Sequence, residues 1–191
     1  MTEKSTEVKT LFSSRSLPRW HTYQGQSNNC GPYCVAIVGD ALRGPVVTAQ
    51  AQAATSVAGE KPAPPPLPKA KGIALPSRIP NWATFPWGVA RGLRARGLDV
   101  RWRVGATEER LRENLRNDVT TIVIVGDLFH RVGKRWHPWS HYKVLYGWDM
   151  ERGWAFVDPA VQSADGVAWQ AAEPFTRQWR GLGRQLIEVR P

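Results

Sequence analysis

Apolar and polar residues change their period several times along the 191-residue chain, and each change marks a predicted element. Residues 33–42 are apolar enough for a buried helix. Asn28 and Asn29 are good capping residues ahead of it, Gly31 and Pro32 suit its first turn and Gly44 stops it, so the helix is expected to begin at Cys30. Residues 87–96 suit a helix ended by Gly97, and 98–104 alternate as a strand does. Thr107 is placed to cap a further helix, in which Glu108 and Glu109 complement the helix dipole and Leu111 and Leu115 supply the apolar stripe.

The β-branched run 119–125 predicts a buried strand, and 141–148 and 154–157 predict two more, joined by a tight turn over 149–153. A short helix over 174–180 and a closing strand over 185–189 complete the pattern. Helices followed by mostly antiparallel strands predict an α+β domain, with an N-terminal helical part packed on an antiparallel β-sheet.

Two stretches lack any period. Residues 1–20 are polar and are expected to form a flexible N-terminal arm, leaving 21–191 as a single domain. From about 45 to 80 the composition shifts to Ala, Pro, Gln and Lys around the polyproline-prone stretch 61–68. The chain before it is too short to hold a core of its own. The Pro-rich stretch is therefore expected to be an insertion within one domain, open to a protein partner, rather than a linker between two.

Composition narrows the function classes. The formal net charge of +10 raises polyanions as partners, but the arginines between 91 and 116 are scattered at spacings that suit solvated faces, so nucleic acid is the less favoured partner. No apolar run approaches the roughly 20 residues of a membrane span, and the first residues lack the apolar centre of a signal peptide, which points to a cytoplasmic protein. Cys30 and Cys34 are the only cysteines, too few for a secreted disulfide framework and one helical turn apart; reduced thiols are expected, with Cys34 facing the core.

A nucleophilic cysteine needs a base nearby and donors for the negative charge that develops during attack. Cys30, at a helix N-terminus, lies at the positive end of the dipole and can offer its own N–H to an oxyanion. Gln24, six residues upstream on the loop before that helix, can bring a side-chain amide to the same place. His141 and Asp158 lie on strands joined by the turn at Gly153, so an antiparallel hairpin can bring the carboxylate behind the imidazole. Asp149, in the turn itself, is the poorer partner for His141.

These segments resemble a known family. Gln24, five residues and then Cys30-Gly31 at a helix start look like the papain-like proteases. Asn29-Cys30-Gly31-Pro32 looks like the C39 bacteriocin-processing peptidases and their freestanding relatives. Ser140-His141-Tyr142-Lys143-Val144-Leu145-Tyr146-Gly147 is similar to the family's histidine strand and Ala155-Phe156-Val157-Asp158-Pro159 to its Asp-Pro strand, while residues 174–179 resemble the segment that follows. The resemblance implies a papain-like fold and a cysteine peptidase acting on a peptide or protein without a cofactor. It assigns Cys30 as nucleophile, His141 as general base and then acid, Asp158 as the group that orients the imidazole, and Gln24 to the oxyanion hole. Leader-processing members of this family are attached to a membrane transporter; the sequence carries no such segment, so leader removal is not expected.

Four other readings compete. An amidase or transglutaminase would use the same residues, a catalytically silent binding or assembly module would keep the fold without the chemistry, and a basic polyanion-binding protein would need neither. Cys30, Cys34, His137 and His141 also make up a formal zinc set, disfavoured by the long separation between the two pairs and by leaving Gln24 and Asp158 unexplained.

Overall fold

A computed structural model describes residues 9–45, 78–79, 83–127, 129–136 and 138–191. Most of the Pro-rich insertion, and His137 of the zinc alternative, lie outside the described residues.

The centre of the molecule is an antiparallel sheet, seven-stranded among the described residues. The run of β-branched residues becomes β5 (Thr120–Asp127), buried along nearly its whole length. It lies between β8 (Trp139–Asp149) and β11 (Leu186–Arg190), and the order continues outward through β9 (Gly153–Val157) to β10 (Val167–Gln170) on one side and to β4 (Asp99–Arg103) on the other. Two small hairpins stand apart from it, β2 (Arg78–Ile79) with β3 (Ala83–Thr84) and β6 (Arg131–Val132) with β7 (Arg135–Trp136).

Strand alternation divides the core between the two faces of the sheet. Ile122, Ile124, Tyr142, Val144 and Val157 pack with residues of α1 (Cys30–Arg43) and α2 (Pro86–Arg94). Val123, Val125, Leu145 and Phe156 pack with residues of α3 (Glu108–Arg116) and α4 (Ala172–Gly181). Trp154, Phe156, Phe175 and Trp179 are all fully buried in this second cluster. Each such side chain contributes roughly 1.5–3 kcal/mol by leaving water. Trp179 also satisfies its indole N–H on the Gln185 carbonyl at 2.8 Å. Helices and an antiparallel sheet make the architecture α+β, with helices covering both faces rather than one.

Local expectations and structure agree closely. Helix α1 begins at Cys30 and stops at Gly44, which has φ +77°. Thr107 caps α3 by accepting the Arg110 N–H at 3.1 Å. In the turn before β9, Asp149 Oδ1 accepts the N–H groups of Glu151 and Arg152, each at 2.9 Å, and Gly153 takes φ +86°. Asp149 is thereby spent on its own turn.

Residues 10–20 depart from the expected loose arm, while residues 1–8 lie outside the described residues. Residues Thr10–Phe12 form β1, which pairs with the far end of β8 in the register Phe12↔Gly147. Phe12 meets the rings of Tyr146 and Trp169 at centroid distances of 5.4 and 6.0 Å, and Leu17, in a 3-10 turn over Leu17–Trp20, is fully buried against the α1 side of the core. A three-residue strand is too short to leave a period in the sequence, and its stability comes from partners more than a hundred residues away. No helix among the described residues is long and apolar enough to cross a membrane.

Candidate active site

Cys30 is the first residue of α1. Asn29 occupies the N-cap position without a side-chain capping bond. The helix end sits tightly against β3: a Cβ on Gly31 would lie 2.8 Å from Cβ of Thr84, which explains a glycine directly after Cys30. Thr84 is held there through its backbone carbonyl, which accepts the Tyr142 hydroxyl at 2.7 Å.

Gln24 reaches the site by a different route. Its backbone N–H donates to the Pro159 carbonyl at 2.8 Å, tying the loop before α1 to the segment that carries Asp158. Gly25 turns the chain with φ +63°, and Ser27 closes the turn by donating its hydroxyl to the Gln24 carbonyl at 2.6 Å. The Gln24 side-chain oxygen is buried and has no hydrogen-bond partner among the described residues.

On the other side, the β8–β9 hairpin pairs Val144 with Val157, so the next step of the register places Asp158 opposite Lys143, with His141 two residues further along the same strand. His141 Nε2 donates to Asp158 Oδ1 at 2.6 Å, and His141 lines the same recess as Cys30. Asp158 Oδ1 accepts the Ala160 N–H at 2.8 Å, and its Oδ2 faces the Lys143 ammonium at 3.2 Å. The Asp158 backbone is fixed as firmly: its N–H donates to the Gly166 carbonyl at 2.9 Å and its carbonyl accepts the His21 ring N–H at 3.1 Å. Gly166 has φ +60°, and a Cβ there would run into the His21 ring.

These contacts set the charges. Burial works against the imidazolium, but the hydrogen bond to Asp158 and the neighbouring Cys30 outweigh it and push the His141 pKa up to about 9. Burial likewise opposes ionisation of Asp158, and the bond from His141 together with the Lys143 charge outweighs it, holding the carboxyl down at about 2. Cys34 is fully buried in the core, and burial pushes its thiol well up.

The side chains converge on a recess of about 60 Å³ lined by Gln24, Asn28, Cys30, Thr84, Ser140, His141 and Tyr142. Beyond it runs an open groove of about 340 Å³ that shares Asn28, Thr84, Ser140 and Tyr142 with the recess and is walled by Phe85, Pro86, Ile124, Trp139 and Leu182. Of the four residues singled out in the sequence, Gln24, Cys30 and His141 line the recess, and Asp158 stands behind the His141 ring. Lys143 was missed. Its signal was available, since a residue two positions after His141 on the same strand shares its face. Among the described residues no group of three or more His, Cys, Asp or Glu side chains is arranged to hold a metal ion.

No protein-family model matches the sequence, and no curated protein does. A solved structure does match: the "putative C39-like peptidase from Bacillus anthracis" superposes with a TM-score of 0.62 over 96% of this chain and 98% of that one, at 13% identity. A likeness extending over nearly all of both chains gives this protein a C39-like peptidase fold; at that identity it speaks of the fold alone.

Proposed function

We propose that this chain is a cysteine hydrolase of papain-like type that opens a peptide or isopeptide bond by acyl transfer to water. The observation that carries the reading is that His141 hydrogen-bonds Asp158 at 2.6 Å and lines, together with Cys30 and Gln24, one small recess.

Cys30 Sγ attacks the carbonyl carbon, its proton passing to His141 Nδ1, the ring nitrogen that does not face Asp158. The carbonyl oxygen takes up negative charge and is met by the Cys30 backbone N–H and the Gln24 side-chain amide. As the tetrahedral intermediate collapses, His141 returns the proton to the leaving amine. Water, deprotonated by the same imidazole, then cleaves the thioester to a carboxylic acid and regenerates the thiol. Asp158 remains ionised throughout and stabilises the imidazolium. The apolar groove next to the recess, with no charged residue among its walls, gives an extended peptide a bed for an uncharged side chain beside the scissile bond.

Iodoacetamide labelling with mass mapping tests the reading. Cys30 is expected to react, and His141→Ala to slow that reaction about 100-fold, within the range of a positioned base. Because Cys34 is buried, preference for Cys30 alone says little; labelling of Cys30 at the same rate with and without His141 removes the enzyme reading and leaves a silent module of the same fold.

A further inference from the structure

A buried carboxylate has to satisfy both oxygens, and Asp158, 4% exposed, divides them between two cations. Oδ1 serves His141 and the Ala160 N–H; Oδ2 serves Lys143. Lys143 is itself largely enclosed, its side chain 15% exposed, with the Gln170 side-chain Oε1 at 3.4 Å and the Phe156 ring centroid 5.6 Å from its ammonium. Burying an ammonium costs several kcal/mol unless it is paired, so this lysine is not held in place by packing alone.

We infer that Lys143 is a positioning residue for the site: its ammonium pins the second oxygen of Asp158, which fixes the carboxylate plane toward His141 and partly offsets the carboxylate charge that the imidazole feels. The inference rests on the proposed base role of His141. The charge effect has a definite sign. A cation beside Asp158 disfavours the imidazolium, so Lys143 lowers the pH at which His141 gives up its proton. The other groups facing this cluster are Cys30 and Cys34 from α1, His21 from the chain before it and Tyr142 from β8. Lys143 is the only permanent cation within salt-bridge distance of Asp158 among the described residues.

The test is titration of the His141 ring by NMR in the wild type, Lys143→Met and Lys143→Arg, alongside iodoacetamide labelling of Cys30. Removing the charge is expected to raise the midpoint by half a pH unit or more, an increase of about threefold or more in the stability of the imidazolium. Arginine, which keeps the charge, is expected to restore the wild-type midpoint. A midpoint unchanged in Lys143→Met, with only the melting temperature lowered, makes Lys143 a structural ion pair and overturns the inference; Lys143→Gln reads the same quantity should the methionine variant fail to fold. Failure of the enzyme reading looks different: the His141 midpoint still responds to Lys143, while Cys30 labelling ignores His141→Ala.

Discussion

Two buried carboxylates on the central sheet invite comparison. Glu188 on β11 is 1% exposed and accepts from Arg103 at 2.9 Å, Arg110 at 2.6 Å and Asn114 at 3.2 Å. Burial opposes its ionisation, but those hydrogen bonds hold its pKa down at about 2, the same value as Asp158. A strongly lowered carboxyl pKa therefore does not by itself mark function here. The two sites differ in their partners: guanidinium groups keep their charge at every accessible pH, whereas Asp158 faces an imidazole that titrates, with a thiol behind it and a recess in front. Glu188 closes a network. Asp158 leaves one open.

The largest effect expected at the open site is chemical. Asp158→Asn removes the charge that favours the imidazolium and should slow His141-dependent reaction of Cys30 at least tenfold, read as labelling rate or peptide hydrolysis. Glu188→Gln should leave that rate within about twofold and instead lower stability by about 3 kcal/mol, as expected when one partner of a buried ion pair is removed, measured by urea denaturation. If the two variants exchange behaviours, the comparison is wrong.

Next in size is the dependence of stability on pH. His141 has a folded pKa raised above its unfolded value, so its contribution is fully present below about pH 6.5 and is lost as pH rises through about 9. Asp158 and Glu188 have depressed folded values; theirs is present above the ordinary carboxylate range and is lost as pH falls toward about 2. Denaturation between about pH 6 and 8, below the range where the buried Cys34 thiol adds its own decline, should show a loss of stability in the wild type that His141→Ala abolishes. Glu188→Gln should lower the whole curve without changing its slope in that range.

Gly166→Ala tests the backbone behind Asp158. A side chain there meets His21 and must adopt φ +60°, so a loss of roughly 1–3 kcal/mol is expected, with slower Cys30 labelling because the carboxylate moves with the loop. The smallest effect belongs to the groove wall. Leu182→Arg places a charge in an uncharged groove and is expected to lower hydrolysis of peptides with bulky apolar side chains several-fold, while iodoacetamide, too small to need the groove, reacts as before.

How far the sequence alone reached depended on the range of the forces involved. The start of α1 at Cys30, the cap at Thr107 and the turn before β9 are settled by interactions within a few residues, and all three were legible. So was the hairpin that carries His141 and Asp158, because its strands are adjacent in the chain. The Gln24 loop was legible only as a loop; its anchor on Pro159 spans 135 residues.

Local periodicity and turn chemistry thus determined the α+β elements and the chain order of Gln24, Cys30, His141 and Asp158. Tertiary structure alone decided that β1 completes the sheet, that Glu188 sinks between two arginines and that Lys143 takes the second oxygen of Asp158. The reason is physical: strand register and burial draw their free energy from partners distant in sequence, and a single residue's identity does not reveal which neighbour the fold will bring to it.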